Sequence, residues 1–375
     1  MSKSYRSKSL SVLKKIESQY AMHFEGMNSP ICLHDLFCRN GFSLREYCKS
    51  FRPHLHSRQI YQAVEKFGQQ YNIWLKSAPD YITCHLYLFP NAHLYRMMPL
   101  LKNCAVDFYL NDEYGREVYH RLPARKKLEA KEITSRICDP SSLLSIPKTA
   151  FKVEYANQEM MNEIKLASPE GWFQKFLYLY NLHVEIAHAN CETSLTGVIP
   201  TIQEYIDSRC DISGMKHTVL LIEYAEGQFL NWKWLEETGI ANNLRRLQYL
   251  IAAIGCLSND LFSFEKEVIK NHSDSNLVAI MAHHHPEMGL KELLISSAAM
   301  VGDDIAEFLS LVEEVRNYSY QFLPAHQQNI DVLEHYLNGL ERFVQASWVW
   351  QVSTQRYKSK RSIFEETTDR QAVMA

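Results

Sequence analysis

The stretch NDLFSFEKE, Asn259 to Glu267, sets an amide, a hydroxyl, an ammonium and carboxylates at the end of a long apolar run. Read as one helix over 241–270, about 30 residues and roughly 45 Å long, it puts Ser263 about 40° and Glu267 about 80° round from Asn259. Lys266 falls back to within about 20° of Asn259, so four polar groups share one narrow stripe. A buried carboxylate without a partner is costly, so the stripe must hold something. Amide, hydroxyl and carboxylate oxygens are hard donors suited to Mg²⁺. An Mg²⁺ held by so few protein groups shares its shell with phosphate and water, and Lys266 beside it favours an anion. The plain alternative is a solvated helix end, and the choice turns on whether matching parts exist elsewhere.

Three other segments supply them. NCAVDFYLNDEYGRE, residues 103–117, places Asp112, Glu113 and Glu117 after an apolar aromatic stretch, with Phe108 and Tyr109 on the helical side of Asp112. EYIDSRCDISGM, residues 204–215, puts Arg209 shortly before Gly214, where a helix should break. Near the C-terminus, ASWVWQVSTQRYKSKRS sets Arg356 and Tyr357 at the end of an aromatic helix, with Trp350 one heptad before Tyr357. Each alone is ordinary. Together they resemble the class I terpene synthases of the microbial type, over about residues 100–360. NDLFSFEKE resembles the second metal motif, N-D-x-x-S-x-x-x-E with Lys before the Glu. DEYGRE resembles the first, aspartate-rich motif in its D-D-x-x-x-E form. Arg209 matches the diphosphate-sensing arginine, and Arg356-Tyr357 the C-terminal Arg-Tyr pair. The first motif departs from the pattern: Glu113 stands for an aspartate and Gly115 is not acidic. Whether Glu113 or Glu117 binds metal stays open, and an alignment starting at Asn111 would make Asp112 its second member.

The resemblance implies an all-α, single-domain helical bundle around a deep apolar cavity, with the metal motifs facing each other at its mouth. It implies three Mg²⁺ ions bound with the substrate diphosphate, held by Asp112, Glu117, Asn259, Ser263 and Glu267. Arg209, Lys266, Arg356 and Tyr357 would bind the diphosphate, and the catalytic set is Asp112, Arg209, Asn259, Ser263, Glu267, Arg356 and Tyr357. Phe108, Tyr109 and Trp350 are the expected cavity wall, joined by Ile212 and Ser213 at the helix break. The implied activity is a carbon–oxygen lyase reaction that ionises a linear prenyl diphosphate, cyclises the cation and releases diphosphate. Farnesyl diphosphate comes first, giving a sesquiterpene, and geranylgeranyl diphosphate second. A chain-elongating prenyltransferase shares the fold but carries two aspartate-rich motifs. A non-catalytic prenyl-ligand binder would be weakened at Asp112-Glu113.

The rest of the chain must position these groups. Its 375 residues are 46% hydrophobic and 22% charged with a formal net charge of -3, a balance that points neither to nucleic acid nor to an anionic membrane. With 13 Gly and 12 Pro, turns are too few for an all-β protein, and apolar positions recurring every three or four residues predict helices over 172–192, 241–270 and 289–317. No stretch approaches the roughly 20 apolar residues that span a bilayer. The nine cysteines show no metal spacing or disulfide framework, which suits a reducing cytoplasm. The basic 115–150 stretch reads as a flap or connection, residues 1–20 as a loose N-terminal segment and 361–375 as a tail. The chain is expected to act as a monomer or homodimer.

Overall fold

The computed structural model describes residues 3–26, 29–119, 121–187 and 197–369, with the side chains of 3–7, 116 and 117 left outside that description. The helices that bear on the site are α1 Lys3–Glu25, α2 Thr83–Leu88, α3 Leu94–Tyr114, α4 Ala124–Ile137, α5 Lys152–Leu166 and α6 Glu170–Ala187. They continue as α7 Ile202–Ile212, α8 Met215–Glu226, α9 Ala241–Phe262, α10 Leu290–Ser319 and α11 Gln327–Ser353. Among the described residues, β pairing is confined to isolated bridges at Ile31–Phe364 and Ser359–Thr368. The all-α class is therefore what the structure has. No helix among these residues is long and apolar enough to cross a membrane.

Helix α9 sits at the centre. Its first half is amphipathic, but from Leu250 to Phe262 every residue is buried except Asn259. A helix that is apolar nearly all round belongs inside a domain, and α9 packs against α7, α8, α10 and α11. The helix predicted to run to 270 instead ends at Phe262, turns at Ser263 and continues as a π-helical segment, Glu265–Lys270. There the Asn271 amide reaches the Lys266 carbonyl at 3.1 Å, five residues back. Such wide turns often mark functional sites.

Two glycines shape the neighbouring elements. Gly214, at φ +73°, bends the chain between α7 and α8, a conformation that L side chains avoid. Gly115 stops α3, and a Cβ there would lie 2.3 Å from the Asn111 carbonyl oxygen.

In the segment expected to be loose, α1 begins at Lys3, buries Leu13 and Ile16, and its Ser9 hydroxyl donates to Asp274. The 361–375 tail is tied down as far as 369, with Ile363 and Phe364 buried and residues 370–375 outside the description. One buried carboxylate ties α1 to the segment that follows α11. Glu265 accepts from the Tyr20 hydroxyl at 2.6 Å, the Ser362 hydroxyl at 2.6 Å and the Ile363 amide at 2.9 Å. Within 115–150 the chain forms α4, which buries Ala130, Ile133 and Ile137 and pairs Arg136 with Glu154 of α5. The predicted helix at 172–192 is described as far as Ala187, since 188–196 lie outside the described residues.

Candidate active site

A cavity of about 170 Å³, open to solvent at its mouth, is lined by residues of α2, α3, α6, α7, α8, α9 and α11 and of the π segment. Asn259, Ser263, Lys266 and Glu267 all line it, so the stripe survives the change from α to π geometry. Ser263 donates to the Asn259 carbonyl at 2.6 Å, and Asn276 donates to the Glu267 carboxylate at 3.0 Å. The amide oxygen, hydroxyl and carboxylate along this wall are hard donors, and a hard divalent cation fits that set.

Arg209, in the last turn of α7, is only 5% exposed and also lines the cavity. Its Nε donates to Asp260 at 2.8 Å and its guanidinium to the Asn259 side-chain oxygen at 3.1 Å. Burial alone would favour losing the proton, but the Asp260 charge outweighs it and raises the arginine's pKa further. Asp260 is wholly buried and also accepts from the Tyr205 hydroxyl at 2.5 Å and the Leu277 amide at 2.9 Å. Sequence reasoning gave Asp260 no role; it lies 100° round from Asn259 and fixes the arginine of α7.

Across the mouth, Arg356 follows α11 in a short 3-10 turn and pairs with Asp112 at 2.9 Å. Two further donors hold the same carboxylate: Ser77 at 2.9 Å and Asn111 at 3.2 Å. Burial would raise the Asp112 pKa, yet the charges of Arg356 and Lys266 and these hydrogen bonds hold it below the usual carboxylate value. The Arg356 guanidinium also lies 5.6 Å from the Phe108 ring centre, and Phe108 stacks on Tyr81 at 4.5 Å. Tyr357 keeps its proton, because burial pushes the phenol up to about 12, and it accepts from the Asn259 amide at 2.7 Å.

Phe108, Ile212, Ser213, Trp350, Arg356 and Tyr357 all line the cavity, while Asp112 reaches its mouth through Arg356. Tyr109 does not line it. One residue on from Phe108 turns it by 100°, and it packs at 6.3 Å against Tyr114, on the side of Lys126 and Glu129. Glu113 lies on that side too, close enough for its charge to act on Tyr109 and Lys126. Glu117 falls in the short helix Arg116–Tyr119, past the break at Gly115, and its side chain lies outside the described residues. The break removes the helical relation that joined it to Asp112 in the sequence.

The structure adds a polar group that motif reasoning missed. Asp107 of α3 lines the cavity and accepts from His183 of α6 at 2.5 Å. His85 of α2 lines it too, and His217 of α8 packs against His183 with ring centres 5.1 Å apart. A signal existed: Asp107 precedes Asn111, which also lines the cavity, by about one helical turn.

Arg209, Lys266 and Arg356 beside Phe108, Ile212 and Trp350 in one cavity suit a molecule with an anionic head and a greasy tail. Comparison with known proteins agrees. Residues 102–305 match the model of terpene synthase family 2, C-terminal metal binding. Sesquiterpene synthase 1 of Postia placenta is 27% identical over 197 residues, covering 52% of this chain and 54% of that one. Alpha-muurolene synthase of Coprinopsis cinerea is 32% identical over 188 residues, covering 50% and 41%. The chain thus spans about half the length of the curated relatives it matches. A solved a-eudesmol synthase superposes with a TM-score of 0.66 at 15% identity, covering 81% of this chain and 97% of the other, a likeness of fold. With more than half of its residues inside the family's metal-binding region, the chain belongs to terpene synthase family 2.

Proposed function

We propose that this chain is a Mg²⁺-dependent terpene synthase that ionises a linear prenyl diphosphate and cyclises the resulting cation. The reading is carried by one convergence: Asn259, Ser263 and Glu267 meet Arg209, Lys266, Arg356 and Tyr357 at the mouth of one cavity. Asn259, Ser263, Glu267 and Asp112 would hold the metal, for which three ions are the expected number. Bound Mg²⁺ supplies Lewis-acid stabilisation of charge on the departing diphosphate. Arg209, Lys266 and Arg356 bind that diphosphate with fixed positive charge, and Tyr357 donates its hydroxyl proton as a hydrogen bond. Groups fixed before the reaction stabilise the developing charge without having to reorganise. The Asp260 carboxylate keeps Arg209 oriented and ionised.

The organic cation then lies against Phe108 and Trp350. Their ring faces attract positive charge, an effect worth about 2 kcal/mol or more once water is excluded. Excluding water also keeps the cation from being quenched early. The fifteen-carbon farnesyl diphosphate is the proposed substrate, supported by relatives named sesquiterpene synthases; geranylgeranyl diphosphate is the alternative.

Purified protein incubated with Mg²⁺ and ten-, fifteen- or twenty-carbon prenyl diphosphate should release diphosphate and a terpene, read by gas chromatography. Asn259→Ala should lower diphosphate release by about 100-fold or more while the protein stays folded by circular dichroism. No terpene from any of the three substrates would refute the proposal.

A further inference from the structure

One contact in the cavity wall involves no motif residue. Gly255 lies inside α9 and lines the cavity. It stands four residues before Asn259, about 6 Å along the axis, on the side away from Glu267. Glycine weakens a helix interior relative to alanine, so its place here asks for a reason. Packing gives one. Met215, the first residue of α8 after the bend at Gly214, lies across the bare backbone. A Cβ at position 255 would stand 2.4 Å from the Met215 methyl carbon, 3.0 Å from its sulfur and 3.6 Å from its Cγ, and these are its three nearest neighbours.

Gly68 and Gly339 show comparably close side-chain contacts, to Trp74 and Ile222, but none of these four residues lines the cavity. Met215 does, and it is only half-buried. Its side chain therefore has somewhere to go.

We propose that Met215 is a specificity-determining residue of the cyclisation and that Gly255 sets its position. The inference rests on the terpene synthase reading and deepens it. With no side chain at 255, the methionine tip lies back against α9 and leaves the chamber wide, one turn below the metal stripe. A prenyl chain whose diphosphate is held at the mouth must run past this point. The cation formed there reacts with whichever double bond the wall lets come near, so the width at this level selects the ring closure. Methionine is unbranched, with three rotatable bonds, and adapts readily to a changed space. A methyl group at 255 drives its tip off α9 and toward the cavity. The chamber narrows while Asn259, Arg209 and the other groups at the mouth keep their places.

The test compares full-length wild type with Gly255→Ala, Met215→Ala and the double variant, each given farnesyl diphosphate and Mg²⁺. Two quantities are read on the same reaction: diphosphate released and the amount of each terpene. Alanine favours the helix over glycine, so Gly255→Ala should stay folded by circular dichroism. One methylene more or less in an apolar pocket is worth about tenfold or more in selectivity. The ratio of the wild-type main product to the other terpenes should fall by about that factor in Gly255→Ala, and Met215→Ala should alter the profile as well. In the double variant the methyl at 255 has no methionine to displace, so its profile should match that of Met215→Ala. Where Gly255→Ala releases no diphosphate, the double variant should recover release, and failure to recover overturns the proposal. An unchanged product ratio in Gly255→Ala overturns it too. So does an equal effect of Gly255→Ala with and without Met215, since the glycine would then act through another group. Wild type that releases no diphosphate from any prenyl substrate would overturn the function reading itself, and this inference with it.

Discussion

Replacing His85 by Phe should change how stability depends on pH, by an amount the structure sets. The folded chain holds His85 near 4, against an ordinary value of 6.5 in the unfolded chain, with burial as the main cause. Because the folded value is depressed, the unfolded state binds the extra proton between these two values. Stability therefore falls as pH drops through this window, and below about 4 this group adds no further loss. Integrating the proton uptake gives about 0.2 kcal/mol of destabilisation at pH 7 and about 2 kcal/mol at pH 5. In His85→Phe that contribution disappears. Urea unfolding followed by tryptophan fluorescence at pH 7, 6 and 5 measures it. The variant's stability relative to wild type should move in its favour by about 2 kcal/mol from pH 7 to 5. Parallel pH curves for the two proteins would mean that His85 is protonated or solvated in the fold, and the reasoning would fail.

Asp260→Asn leaves the Arg209 charge buried without its main partner and should cost about 3–5 kcal/mol, seen as a fall in unfolding midpoint; an unchanged midpoint would show that Asn259 suffices to hold Arg209. A chelator should abolish diphosphate release and added Mg²⁺ restore it, whereas chelator-resistant turnover would remove the metal from the mechanism. Glu265→Ala removes the acceptor of Tyr20, Ser362 and the Ile363 amide. Trypsin should then cut at Lys360 or Arg361 faster than in wild type, and equal rates would mean that the burial of Ile363 and Phe364 alone holds the segment.

The parts of the site that could be read in advance are those held together by helix geometry. Asn259, Ser263 and Glu267 are spaced by four, so backbone hydrogen bonding alone brings them to one side, and the π segment did not move Lys266 or Glu267 off the cavity wall. Tyr109 failed because neighbouring positions on a helix point 100° apart, and only packing reveals which of the two faces inward. Gly115 ends the helix between Asp112 and Glu117, so helix geometry alone does not relate the two. Asp107 and His183 belong to different helices and match no motif, so nothing local joined them.

From sequence alone, the chain is helical, its apolar periodicity assigns an inner face to each helix, and one stripe of hard oxygen donors must be answered from elsewhere. These are consequences of a fixed 3.6-residue turn, a short-range property written into neighbouring residues. Tertiary structure decided which remote groups meet. It brought Arg356 to Asp112 and Arg209 to Asp260, tied α1 and the segment after α11 to Glu265, and left the ring nitrogens of His85 without a hydrogen-bond partner among the described residues. Those pairings follow from how whole helices pack, a competition among many contacts that no single segment encodes.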